Sequence, residues 1–423
     1  MMQQDLPKRF SAHDMQLLLS EPPVGTIFGN DELNAIRRVL REGQTLSRGA
    51  DIGAFEQEFA SYCQAPHAVA VSSGTAALRI AVQLLRIREG DEVIVPANAF
   101  WNTVVAYVER GAALRIADVD GYTLAPDPAH VESLITKKTK AIVILSLGGD
   151  PCNMTKLLAI ARKHKIPIVE DAAHSVGASF RGKPVGSFCD ITCFSFASLK
   201  NMSTLGEGGM LVTRHPVFAD EAAKLRESWP IGSRKKRRDS QFGPYKKPAD
   251  PSFMRAGDAF DFDWLELQEV GTNYKMTSVA AAVGRVQLRK VDAFNAKRRK
   301  LADHYDKELQ KIPGVRLRKC YPAAQTSNHL YNFFLTEKSG VNRDYLVQEL
   351  KSRYGMHFIH RFWPIHLHGV LRMNGHCIGE APVYERLWFR ELMSLPLAPS
   401  MSNAQVRWIT DKIRSSCDTI RRR

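Results

Sequence analysis

Residues 191–209 carry Ile191-Thr192-Cys193-Phe194-Ser195-Phe196, then Ala197-Ser198-Leu199-Lys200, and close on Gly206-Glu207-Gly208-Gly209. An apolar strand therefore runs into a lysine and then into a glycine-rich turn, a place where the amine is partly withdrawn from water. Desolvation disfavours the ammonium form, lowers the pKa and frees the lone pair for a Schiff base with a carbonyl. The structural alternative is a surface lysine whose stem packs along the strand.

Outward from this segment, short β-branched apolar runs alternate with helix-length amphipathic segments between residues 67 and 215, which predicts an α/β domain with a mostly parallel sheet covered on both faces. The expected strands are His67–Val71, Glu92–Val95, Leu114–Ala117, Ala141–Leu145, Ile166–Val169, Ile191–Phe196 and Met210–Thr213. Helices are expected over Thr75–Leu85, Thr103–Arg110, Pro128–Ile135 and Met154–Lys163. From Trp229 to Asp263 the pattern dissolves into Gly, Pro, Lys, Arg and Asp and reads as a long loop. Helical periodicity resumes from Thr277 to Ile312. Beyond it lie strand-like runs at His329–Leu335 and Met356–Phe358 and helices at Arg343–Leu350 and Asn403–Ile413. The expected division is a large α/β domain over residues 1–275 and a linking helix with a smaller C-terminal α+β domain over residues 276–423.

Two further segments belong with Lys200. Ser72-Ser73-Gly74-Thr75 follows a strand and opens a helix, so the amides of Gly74 and Thr75 face whatever lies beyond the strand. Such an N-terminus favours an anion and predicts a phosphate seat, although capping alone also explains the residues. Ile168-Val169-Glu170-Asp171 puts an acid at the carboxyl end of a buried strand, where open α/β sheets place their ligands, with His174 just after it. A carboxylate there needs a cation, and a protonated pyridine nitrogen is one. Otherwise Asp171 caps a helix and His174 is merely packed.

At 423 residues with 44% hydrophobic content the chain has enough apolar material for a substantial core. Its start has no signal-peptide pattern and no stretch reaches membrane-helix length, and seven scattered cysteines imply free thiols, so a soluble cytoplasmic protein is expected. The net charge of +15 points to an anionic partner. Its densest run, Arg234-Lys235-Lys236-Arg237-Arg238, reads as a solvated loop, with substrate phosphates as the functional alternative. Without a helix-turn-helix, finger or RNA-recognition signature, no nucleic-acid partner is expected. His357, His360, His366, His368 and His376 lack metal-site spacing. They read instead as a loop lining the ligand cleft, and no metal is expected.

The ordered series resembles the DegT/DnrJ/EryC1/StrS sugar aminotransferases, which are fold-type-I, aspartate-aminotransferase-like pyridoxal 5′-phosphate enzymes. The likeness begins at Leu46-Ser47-Arg48-Gly49, passes through the three segments above and Gly271-Thr272-Asn273-Tyr274-Lys275-Met276, and ends at Ser394-Leu395-Pro396-Leu397. It implies that Lys200 holds the cofactor as a Schiff base and then shuttles protons, that Asp171 pairs with the pyridinium nitrogen, and that His174 lies by the phenolic oxygen. It further implies that Gly74, Thr75 and Ser195 hold the phosphate and Phe100 stacks on the ring. Asn273 stands where the family reaches a phosphate across a subunit interface, which implies a homodimer with shared active sites. The implied reaction takes an amino group from glutamate or glutamine to a keto-sugar, nucleotide-linked or not, or to a keto-cyclitol. Members with histidine at the lysine position act as dehydratases, and some relatives are regulators; with Lys200 present, transamination is implied.

Overall fold

The Val-, Ile- and Ala-rich runs form strands because branched side chains pack well on a pleated surface covered on both sides. The computed structural model describes residues 25–43, 45–227, 271–358 and 360–422, so the basic segment 229–263 lies outside the described residues. In chain order the strands are β1 (His67–Val71), β2 (Glu92–Pro96), β3 (Ala113–Ala117), β4 (Thr139–Leu145), β5 (Ile168–Asp171), β6 (Ser179–Phe180) and β7 (Lys183–Pro184). They continue as β8 (Ile191–Ser195), β9 (Gly209–Thr213), β10 (Val315–Leu317), β11 (Ala324–Gln325), β12 (Tyr331–Leu335), β13 (Cys377–Ile378) and β14 (Leu392–Leu395).

The large sheet runs β1-β9-β8-β5-β4-β2-β3-β13. Strand β9 is antiparallel to both neighbours, and the remaining pairings are parallel. All seven strands expected from residues 67–215 are present. The one expected at Ile166–Val169 begins at Ile168 instead, because Pro167 has no amide to give to a ladder. The four expected helices appear as Gly74–Leu84, Trp101–Glu109, Pro128–Ser133 and Met154–His164. Met356–Phe358 is not a strand: Gly355 ends the preceding helix with φ 67°, and the Met356 amide turns back to the Leu350 carbonyl at 3.3 Å.

A 32-residue helix, Ser278–Leu309, joins two cores. Its first half packs Ala281, Leu288 and Val291 with Phe55, Phe59, Phe194 and Phe196 under the sheet. Its second half packs Leu301, Ala302, Tyr305 and Leu309 with β12, β14 and the helix Asn403–Arg421. A second, antiparallel sheet, β10-β12-β14, forms on that side. The chain then returns to the large sheet. Cys377–Ile378 adds β13 beside β3, and Leu371, Ala381, Tyr384 and Leu387 join the large core.

One register fixes the active end of the sheet. Gly209 lies opposite Val71 on one side and Ser195 on the other. A Cβ there would fall 2.4 Å from the Ser73 carbonyl carbon, a backbone atom that cannot swing away. Gly209→Ala is therefore expected to destabilise the fold by about 1–3 kcal/mol through overpacking. Gly53→Ala, in a helix and facing open space, is expected to be neutral or to stabilise by up to about 1 kcal/mol. Urea midpoints of the two variants against wild type check both signs.

Candidate active site

A cavity of about 660 Å³ opens at the carboxyl ends of the parallel strands, and Gly74, Thr75, Phe100, Asp171, Ser195 and Lys200 all line it. Six of the eight site residues expected from sequence are thus gathered in one place. That location is the one open α/β sheets provide for ligands.

The helix Gly74–Leu84 starts directly after β1, and Ser73 Oγ caps it by accepting from the Ala76 amide at 3.1 Å. The amides of Gly74 and Thr75 precede any intrahelical acceptor and carry the positive end of the helix dipole. Across from them stands Ser195, at the end of β8. A Cβ on Gly74 would lie 2.8 Å from Ser195 Cβ, so only glycine lets the turn and the serine approach this closely. Together they form an anion cradle.

Asp171 ends β5, 4% exposed. Its Oδ2 accepts from Thr103 Oγ1 at 2.6 Å and its Oδ1 from the Ala173 amide at 3.1 Å. Burial pushes its pKa up against these bonds and against the nearby Lys200 charge. Lys200 is pushed the other way. Burial lowers it to about 8, opposed by the charge of Asp171, helped by that of Arg361 and opposed again by Glu207. The lysine sits in a clamped loop: its amide donates to Ala197 O, Ser198 N to Gly206 O and Thr204 N to Phe196 O. Behind it, the Gly25 amide donates to Ser198 O, and any Cβ on Gly25 would strike the Lys200 carbonyl.

His174 does not line the cavity; it is buried behind the wall, 2% exposed. Burial and the Lys200 and Arg361 charges hold it well below its usual pKa. Its Nδ1 accepts from the Gly148 amide at 3.2 Å, which assigns the proton to Nε2. It stacks on His329 at 4.1 Å. His329 Nδ1 in turn faces Asn201 Oδ1 at 2.9 Å, while Asn201 Nδ2 donates to Asn295 on the long helix at 2.8 Å. The residue after the lysine is thereby tied to the helix that joins the two cores. Asn273 is exposed and stands apart from this cavity.

Sequence reasoning missed several members of the site. Thr103, His329 and Asn201 gave no signal beyond their polarity. His360, Arg361, Phe362 and Trp363 line the cavity from the far end of the chain, and Phe100 meets Phe362 at 5.0 Å. The histidine-rich segment does line the cleft, but through His360 and its neighbours; His366 instead faces Glu385 at 2.9 Å.

The donor set fits pyridoxal phosphate: an anion cradle, a buried carboxylate lacking an ion-pair partner among the described residues, and a desolvated lysine. Residues 27–414 match the DegT/DnrJ/EryC1/StrS aminotransferase family. The chain is 37% identical to the erythromycin biosynthesis sensory transduction protein EryC1 of Saccharopolyspora erythraea, over 87% of this chain and 90% of that one. It is 32% identical to the dTDP-3-amino-3,4,6-trideoxy-alpha-D-glucose transaminase of Streptomyces venezuelae, over 91% and 92%. Among solved structures it is similar to the aminotransferase TlmJ of Streptoalloteichus hindustanus, with TM-score 0.80, 29% identity, and coverage of 94% of this chain and 98% of that one. The likeness spans the site and nearly all of the fold around it, and the chain belongs to the DegT/DnrJ/EryC1/StrS family of pyridoxal phosphate-dependent aminotransferases.

Proposed function

We propose that this enzyme moves an amino group from glutamate or glutamine onto a ketone of a nucleotide-linked sugar, with Lys200 as the covalent anchor and proton carrier. The observation that carries this reading is the meeting of a desolvated lysine, a buried aspartate and an anion cradle in one cavity. The names of the relatives support the acceptor class: one is a dTDP-sugar transaminase and another a GDP-perosamine synthase. A net charge of +15 suits a substrate that carries phosphates.

When bound, pyridoxal phosphate supplies the electron sink for a proton transfer at the substrate carbon. The chain's own residues do the rest. Gly74, Thr75 and Ser195 hold the phosphate, and Asp171 keeps the ring nitrogen protonated. His174, neutral with its proton on Nε2, would back the phenolic side from behind the cavity wall, and Phe100, which lines the cavity, would cover a ring face. Lys200 Nζ would take the proton from the substrate carbon and deliver it to the cofactor's former aldehyde carbon, two atoms along on the far side of the nitrogen; an amine whose pKa is near 8 suits both directions. Asn273 is exposed in one chain. That agrees with its serving a partner's phosphate seat in a homodimer. Seven free cysteines agree with a reducing, cytoplasmic setting.

Borohydride reduction of the enzyme with bound pyridoxal phosphate, followed by peptide mapping, is expected to leave the cofactor on the Lys200 peptide, and Lys200→Ala is expected to lose both the adduct and all turnover. Glutamate should bleach the visible cofactor band of the wild type, and a dTDP-linked keto-hexose should restore it and yield an amino-sugar. An adduct on another lysine, or a band indifferent to amino acids, sinks the reading.

Capture of pyridoxal phosphate by the cofactor-free protein needs a neutral Lys200, so its rate should climb through a midpoint near pH 8 and level off above it. Asp171 stabilises the ammonium form. Asp171→Asn should therefore move that midpoint to lower pH, which a stopped-flow absorbance series from pH 6 to pH 10 reads directly.

A further inference from the structure

A second cavity, of about 600 Å³, opens at the other end of the large sheet from Lys200. Ile166 and Pro167 line it just before β5, Asp190 just before β8, and Arg214 and His215 just after the antiparallel β9. Strands β5 and β8 carry Asp171 and Ser195 at their opposite ends, so a strand's length separates the two cavities. Its volume lies within the range of about 300–1,000 Å³ usual for small-molecule sites.

Four permanent cations line this second cavity: Arg162, Lys165, Lys183 and Arg214. None of them has an acidic partner among the described residues. Arg162 and Arg214 bond to the protein through Nε, donating to the Leu158 and Cys189 carbonyls at 3.0 and 3.4 Å. The terminal nitrogens of both guanidiniums are left for a ligand. Asp190, the one carboxylate among the described lining residues, is already engaged: Oδ2 accepts from the Ile168 amide and Oδ1 faces His215 Nε2, both at 2.9 Å. Like charges gathered around a concave surface concentrate the field and draw in anions. The walls add aromatic surface. Phe188 and Phe218 both line the cavity, and each is backed by a second ring, Phe180 at 6.3 Å and His215 at 5.2 Å.

We infer that this cavity is a second ligand site, one that takes a nucleoside diphosphate, free or as the nucleotide part of a sugar conjugate. Arg162, Lys165, Lys183 and Arg214 receive the phosphates, and the base packs against Phe188 and Phe218. Inorganic phosphate alone leaves the aromatic walls unused, and an apolar ligand leaves four charges unanswered. A nucleoside diphosphate answers both. The site is separate from the Lys200 cavity and binds without a chemical step.

Lysine footprinting of the holoenzyme tests this where it would happen, because Lys165, Lys183 and the distant Lys338 are all exposed to an acetylating reagent. UDP at about ten times its Kd should slow acetylation of Lys165 and Lys183 about 10-fold and leave Lys338 unchanged. Nucleotide held in the Lys200 cavity does not move this footprint. Pyrophosphate, which lacks a base, should need a concentration about 5-fold or more higher for equal protection. Arg162→Ala and Arg214→Ala should each raise the Kd for UDP about 10-fold, and Phe218→Leu should remove most of the advantage of UDP over pyrophosphate. In all three variants the visible cofactor band and the unfolding midpoint should match wild type, and the wild-type footprint stands whether or not each variant folds. UDP-glucose beside UDP separates the sources: tighter protection by the conjugate assigns the site to nucleotide sugars, and equal or weaker protection assigns it to free nucleotide. If none of UDP, dTDP, GDP and ADP protects the two lysines at millimolar concentration, the site is overturned. Equal protection by pyrophosphate overturns the nucleoside assignment, and protection that survives both arginine substitutions overturns the location.

Discussion

A single close approach organises this enzyme: β9 threads antiparallel between β1 and β8, and Gly209 lies opposite both Val71 and Ser195. Because neither Gly209 nor Gly74 has a side chain, the turn after β1 and the end of β8 come within contact of each other. The helix that starts at Gly74 then points its unpaired amides at the space beside Ser195. A Cβ on Gly74 would push the turn away from Ser195, and one on Gly209 would push β9 away from Ser73. The remaining cavity residues depend on the same end of the sheet, since Asp171 ends β5 and the Lys200 loop leaves β8.

Burial then sets the chemistry. The same low-polarity surroundings push Asp171 up, Lys200 down and His174 down, so each group lies nearer its neutral form than it would in water. For the lysine this yields a nucleophile near neutral pH. For the histidine it yields a fixed neutral tautomer, chosen by the Gly148 amide. For the aspartate it creates a demand for a cation, and a protonated pyridine nitrogen would be one. Three shifts with one cause thus serve three different roles, and which role each group takes follows from its partners.

The strand-and-helix pattern of residues 67–215 was legible because each element repeats its own period and ends on its own turn chemistry. Lys200, Asp171, Gly74 and Thr75 were legible for the same reason: each stands near a strand's carboxyl end or at a helix's start, places a sequence marks, whereas Ser195 and Phe100 followed only from the family resemblance. Thr103, Asn201 and His329 were not. They reach the site through contacts between residues 68 or more positions apart, and nothing local marks them. His174 was placed correctly after β5, but its burial behind the cavity wall depends on stacking with His329, far along the chain. Met356–Phe358 was misread because apolar composition alone does not distinguish a strand from the end of a capped helix.

The far end of the chain supplies what the large sheet lacks. After the antiparallel sheet β10-β12-β14 is under way, the polypeptide returns to add β13 at the open edge, beside β3. That return brings Tyr384 and Asp118 together and so fixes the Phe362 backbone over the cavity. It adds to the anchor that the Ile365 amide makes on Ala97 O, just after β2, at 2.9 Å, and the two together hold the wall bearing His360, Arg361 and Trp363. The edge strand is only two residues long, too short to contribute much stability as a ladder. Its effect lies in position: it sets where Tyr384 lies a few residues later, and Tyr384 holds the Phe362 backbone that closes the site.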